Sequence, residues 1–219
     1  MALPTKPTDK ATHTLKPTPL TGKTDRLEDV FNAYKMNPHD AAKKSAAWFQ
    51  QQIALIGRVR ATRYPSTLFA DREVFDPKTS ILPGSLYIFH YDALNKATLP
   101  YWDRYPLVIP FRAVPGGFYG LNLHYLPPQG RVLLLDALMR FATNKNMDAN
   151  TKLKFTWQAA VAASQNKHIA ACIKHYLLPQ VKSKFQKIMP ENWVGALMLP
   201  VESFTGATKT QVWKESRRA

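Results

Sequence analysis

From Asp25 onward the apolar positions fall into helical spacing. Leu27, Val30, Phe31 and Tyr34 stand at i, i+3, i+4 and i+7, the stripe of a short amphipathic helix. Asn37-Pro38 stops it. Asp40 is placed to cap a second helix over residues 41–60, with Ala42, Ala46, Phe49, Ile53 and Ile56 on one face and Trp48, Leu55 and Val59 widening it. Residues 64–83 carry three prolines and mixed charge, the composition of a surface loop. The period then changes to two. GSLYIFHYD alternates Leu86, Ile88 and His90 with Tyr87, Phe89 and Tyr91, which predicts a strand covered on both faces. PLVIPFRAV is a second strand, in which Pro110 marks an edge or a bulge. Pro115-Gly116-Gly117 turns the chain, and FYGLNLHYL returns it, with Gly120 signalling a bulge or a close backbone approach.

After Gly130 helical spacing resumes. Val132, Leu133, Leu135, Leu138, Met139 and Phe141 predict a compact helix, followed by a polar loop over 144–150 and a helix in the Ala-rich half of KLKFTWQAAVAAS. KHIAACIKHYLL reads as a helix burying Ile169, Ile173, Tyr176 and Leu177, with Lys167 and Lys174 seven apart on another face. VKSKFQKIM continues this basic part, with Lys182, Lys184 and Lys187 around Phe185. A last strand is expected within 193–199, and a short final helix near Thr210 to Trp213. The expected architecture is α+β. N-terminal helices (25–63), a small antiparallel sheet, meander or barrel-like (84–126), and a basic helical part (131–219) form one domain. Residues 1–24, with seven Thr, four Pro and four Lys, have no periodic apolar face and read as an extended arm.

Charge changes the picture. Thirty Lys and Arg against 15 Asp and Glu leave +15, the mark of a protein that meets a polyanion. The excess is uneven: residues 81–130 carry +1 and residues 131–219 carry +9. Between Arg140 and Lys187 stand nine bases and a single acid, Asp148. Arg140, Lys145, Lys152, Lys154, Lys167, Lys174, Lys182, Lys184 and Lys187 are therefore candidates for phosphate contact. Arg58, Arg60 and Arg63 join them, although cations at a helix C-terminus also complement its dipole. The bland alternative is a solvated cationic surface.

Other chemistry is thin. No phosphate-binding glycine loop, HExxH or CxxC pair occurs. The lone Cys172 sits in an amphipathic run and reads as core. His90 and His124 lie on neighbouring predicted strands and, with Asp103, offer one metal-assisted hydrolytic reading, yet their spacing matches no ligand pattern. No catalytic residue, metal ligand or cofactor is assigned, and an enzyme is not expected. No apolar run reaches the roughly 18–20 residues that span a bilayer, and the N-terminus lacks the apolar core of a signal peptide. LPYWDRYP concentrates Tyr101, Trp102, Asp103, Arg104 and Tyr105. It is either a rigid loop packed over the sheet around an Asp103–Arg104 ion pair or a docking loop for a partner; stacking of its aromatics on unpaired bases is the less favoured reading, because the surrounding fifty residues are almost neutral.

The segment GSLYIFHYDALNKATLPYWDRYPLVIPF with GGFYGLNLHYLPP resembles the DNA end-protector proteins of T-even-type contractile-tailed bacteriophages and cyanophages. Tyr87, Phe89, Tyr91, Asp92, Lys96, Leu99, Pro100, Tyr101, Asp103, Pro106, Leu107 and Val108 fit the first part of that family's pattern. Gly117, Phe118, Gly120, Asn122, Leu123, His124, Tyr125, Leu126, Pro127, Pro128 and Arg131 fit the second. His90, Trp102 and Tyr105 depart from it. The likeness extends loosely to WFxxQI at Trp48 and to LPVESFxGA, and leaves out residues 1–40. It implies a virion protein, not an enzyme, that binds the end of packaged double-stranded DNA without sequence specificity and shields it from host exonuclease. Such a protein acts in the particle, and in the host cytoplasm during assembly and after injection, beside other virion proteins of the neck or tail. The alternative is a structural component of neck, tail or baseplate whose basic surface faces DNA or acidic neighbours.

Overall fold

The computed structural model describes residues 81–167, 169–193 and 204–216, together with the helical positions Lys43, Ala47, Gln50 and Gln51. Those four positions are exposed and fall between the apolar positions expected to face inward in the 41–60 helix. The arm (1–24), the helix from Leu27, the bases Arg58, Arg60 and Arg63, most of the 64–83 loop and the expected strand after Trp193 lie outside the described residues.

Among the described residues the chain is α+β. The strands are β1 (Leu86–Ile88), β2 (Trp102–Asp103), β3 (Leu107–Val114), β4 (Gly117–Asn122), β5 (Ile173–Leu177), β6 (Gln186–Ile188) and β7 (Phe204–Thr205). The helices are α1 (Pro128–Ala142), α2 (Ala149–Ser164) and α3 (Lys209–Ser216). Five strands form one antiparallel sheet in the order β5-β4-β3-β1-β6, and β2 pairs with β7 in a separate two-stranded ladder.

The β3–β4 hairpin forms as the turn residues predict. Val114 pairs with Gly117, and the two residues between them end in Gly116 at φ +73°, a conformation that costs glycine little. The register slips between Pro110 and Arg112, so Phe111 is the extra residue of a bulge in an interior strand. That bulge frees the Phe111 carbonyl, which accepts from the Trp157 indole of α2 at 2.8 Å. Pro110, which has no N–H to give, still accepts from the Gly84 amide at 2.8 Å. Gly120 makes the expected close approach, because a Cβ there would overlap the Val108 side chain.

Both faces of the sheet are covered. Leu86, Ile88, Ile109 and Leu121 pack with Val132, Leu135 and Leu138 of α1. The opposite face is aromatic: the Phe89 ring lies 4.6 Å from Phe185, 5.4 Å from Tyr176 and 6.2 Å from Phe118 between centroids. Phe89 and Phe118, both fully buried, each contribute about 1.5–3 kcal/mol of transfer free energy.

Two segments differ from the helices that their spacing suggests. Residues 173–177 form β5 on β4, and 186–188 form β6 on β1. The basic part is therefore not wholly helical, and the sheet draws on more than residues 84–126. The run CIKHYL has helical spacing of its apolar residues, and pairing with the open edge of β4 overrides it. The return strand also ends early, because the Asn122 carboxamide accepts from the His124 amide at 3.0 Å and starts a 3-10 turn over Leu123–Tyr125. α2 starts at Ala149 and so is helical over its basic half too.

Candidate nucleic-acid interface

The bases that the sequence singles out do not lie along one helical face. Lys152 of α2 and Lys187 of β6 line the same cavity of about 650 Å³, with Thr143 beyond α1 on its wall. Arg140, exposed in the last turn of α1, stands 3.7 Å from Asp136, and Lys145 is exposed in the following loop. Lys154 and Lys167 are exposed at the beginning of α2 and beyond its end. Two free amides at the start of α2 are already taken, since Asn150 N and Thr151 N donate to the Asp148 carboxylate at 2.9 and 3.0 Å. The Thr151 hydroxyl, which also donates to that carboxylate, and then these two amides hold the Asp148 carboxyl below its usual value.

Lys182 and Lys184 are exposed in the link between β5 and β6. Lys182 meets Arg104, His90 and Trp102 around a cleft of about 540 Å³. The Arg104 guanidinium reaches 3.5 Å from His90 Nε2, and the His90 ring lies 5.1 Å from Tyr105. Burial, and then the charge of Arg104, hold His90 below the usual histidine value. Two cations and an aromatic edge thus share one opening with Asp92, whose carboxylate is paired with Lys96 at 2.9 Å, and the two cations suit a phosphate beside a base or sugar. The sequence placed Arg104 in a docking loop and Lys182 in the basic helical part, and read His90 only with His124 and Asp103 as one hydrolytic alternative.

The 101–105 segment is mostly packing. Tyr101, Trp102 and Tyr105 are half-buried, and Arg104 alone of the five is exposed. Tyr101 lies 6.1 Å from both Tyr125 and Phe204. Asp103 is buried, and its partner is not Arg104: it accepts from His124 Nδ1 at 2.6 Å, from Asn122 Nδ2 at 3.1 Å and from the Tyr105 amide at 3.2 Å. Asn122 Nδ2 also donates to the Tyr176 hydroxyl at 3.0 Å. The carbonyls of Leu123 and His124 then accept from the buried Arg131 at 2.8 and 3.2 Å, and Trp213 Nε1 donates to His124 O at 2.9 Å. The NLHYLPPxxR pattern is therefore a clasp between sheet, loop, α1 and α3. Asp103 and His124 do meet, but His90 sits in the other opening. Among the described residues no group of three or more His, Cys, Asp or Glu could hold a metal ion. Cys172 is fully buried, and burial pushes its thiol up to about 12, as expected of a core residue.

Lys174 lies apart from the other bases. It projects from β5 with its ammonium 4.0 Å from the centre of the Tyr125 ring. It lines a cavity of about 390 Å³ with Tyr91, Tyr101, Trp102, Asn122 and Tyr125. Burial holds it below the usual lysine value. Among the described residues no helix is long and apolar enough to cross a membrane.

A comparison with protein families matches residues 24–216 to the family described as phage T4 terminal DNA protecting protein. The match reaches further toward the N-terminus than the segments that carry the resemblance. No curated protein and no solved structure matches the chain.

Proposed function

The chain belongs to the phage T4 terminal DNA protecting protein family, and on that premise we propose that it binds the end of packaged double-stranded DNA and shields it from host exonuclease. The family match across residues 24–216 carries this reading. The contacts are with phosphates and are indifferent to sequence, because a lysine on a phosphate positions a protein without reading a base. Arg104 and Lys182 hold one phosphate in their shared cleft, while Lys145, Lys154, Lys167 and Lys184 add exposed charge. With about six phosphates neutralised, log K falls against log salt with a slope near −5. The protein works by occlusion rather than catalysis, in the particle and, after injection, in the host cytoplasm.

The test has two arms. Blunt linear duplex is digested by a double-strand exonuclease with and without saturating protein, and the same duplex closed by hairpin loops is used for competition. Protection of the linear form, competed weakly by the closed form, is expected. Equal binding of both forms at every salt concentration removes the end-binding claim, and undiminished digestion removes the protective one.

Leu94 and Leu99, 60% and 43% exposed, favour a second reading as a neck, tail or baseplate component that docks on another virion protein through the 94–100 loop. Several symmetry-related copies in a ring of the particle support that reading, whereas one or two copies at the DNA terminus support the first.

A further inference from the structure

We propose that the cavity walled by Tyr91, Tyr101, Trp102 and Tyr125 takes the unpaired terminal nucleotide of one DNA strand, its base against the aromatic rings and its phosphate on Lys174. The proposal rests on the end-binding reading above and supplies a reason for preferring ends.

Lys174 carries a cation into a partly buried position, and among the described residues no carboxylate lies within ion-pair distance of it. The ring face of Tyr125 at 4.0 Å is its nearest compensation. A cation held this way is costly unless an anion joins it. The Asp103 carboxylate on the same wall is directed elsewhere, accepting from His124, Asn122 and Tyr105. Burial lowers the Lys174 pKa, and a phosphate would restore it.

Size and shape agree. About 390 Å³ lies at the lower end of the roughly 300–1,000 Å³ typical of small-ligand sites, enough for one nucleotide and too little for a base pair with its backbones. The rim residues Leu94 and Leu99 are exposed, so the cavity opens to solvent. Tyr101 and Trp102 are half-buried and line the cavity, aromatic side chains of the kind on which unpaired bases stack regardless of sequence. A terminal pair has one stacking neighbour instead of two, so freeing its nucleotide costs less than flipping an interior one. Open ends thereby reach a site that closed duplex cannot.

The experiment uses the full chain and a blunt, 5′-phosphorylated duplex carrying 2-aminopurine at either the terminal or a central position, with dye anisotropy reporting binding. The terminal analogue is expected to change emission as the complex forms, and the central one to stay constant. K174M, which keeps side-chain volume, is expected to lose about tenfold or more in affinity for the open duplex while binding hairpin-closed duplex as before. Y101L is expected to reduce the terminal emission change. Near-UV circular dichroism checks that both variants fold, and the 2-aminopurine readout needs neither. Complex formation with unchanged terminal emission overturns the cavity proposal and leaves end protection standing, as does an unchanged open-to-closed affinity ratio in both folded variants. If the unaltered protein binds neither duplex, it is the end-binding reading that falls.

Discussion

Replacing Asp103 with alanine removes one acceptor from three donors. His124 and Asn122 are fully buried and Asp103 is 4% exposed, so water does not replace the lost carboxylate at the first two. His124 Nδ1 loses a 2.6 Å contact, and Asn122 keeps its Tyr176 partner but loses the other at 3.1 Å. The Tyr105 amide belongs to a half-buried residue, where solvent is within reach, and costs least. Each orphaned buried donor costs about 1–3 kcal/mol. For two of them about 2–6 kcal/mol is therefore expected, a large share of a typical total of about 5–15 kcal/mol. Urea unfolding followed by tryptophan fluorescence reads this as a midpoint lowered by about 1–2 M at a slope of about 2–3 kcal/mol/M. D103N keeps the shape but offers one oxygen where two are used, and should lose less. R104A, the exposed neighbour, should stay within about 0.5 kcal/mol. A loss below about 1 kcal/mol for D103A at unchanged slope would refute the dry clasp.

Arg131 holds two carbonyls from one buried planar group, a task lysine cannot copy, so R131K should lower stability by about 1–3 kcal/mol in the same assay. His90 titrates below its unfolded value of 6.5, so between the two values the unfolded chain holds the extra proton. Its contribution is full above 6.5 and is lost as pH falls from there through the folded value; H90Q should flatten that acid-side slope of the unfolding midpoint. Removing Lys182 and Lys184 together should make the salt dependence of DNA binding shallower by about two units, and an unchanged slope would show that neither touches phosphate.

Much of the sheet was legible because its signals are local. The Pro115-Gly116 turn, the Pro110 bulge and the Gly120 approach each depend on a backbone restriction that one residue imposes. The Leu86–Phe89 alternation showed two covered faces, and the leucine spacing of α1 showed a core-facing helix. β5 and β6 were not legible. Ile169, Ile173, Tyr176 and Leu177 repeat at helical spacing, while the strand pairing that overrides it comes from Gly117–Leu121, more than fifty residues away. The site divides in the same way. Composition and charge skew pointed to a polyanion and named the bases, but placed them on helices that do not all form.

Residue chemistry along the chain thus determined the family, the hairpin, the helices α1 and α3 and the cationic balance. These rest on side-chain period, turn geometry and charge, which act within a few residues. Tertiary structure alone decided that Asp103 answers to His124 rather than Arg104, that Arg104 shares a cleft with Lys182, and that Lys174 enters an aromatic cavity. Each of these joins groups from separate elements, and it is strand register and burial that set which of the many possible partners meet.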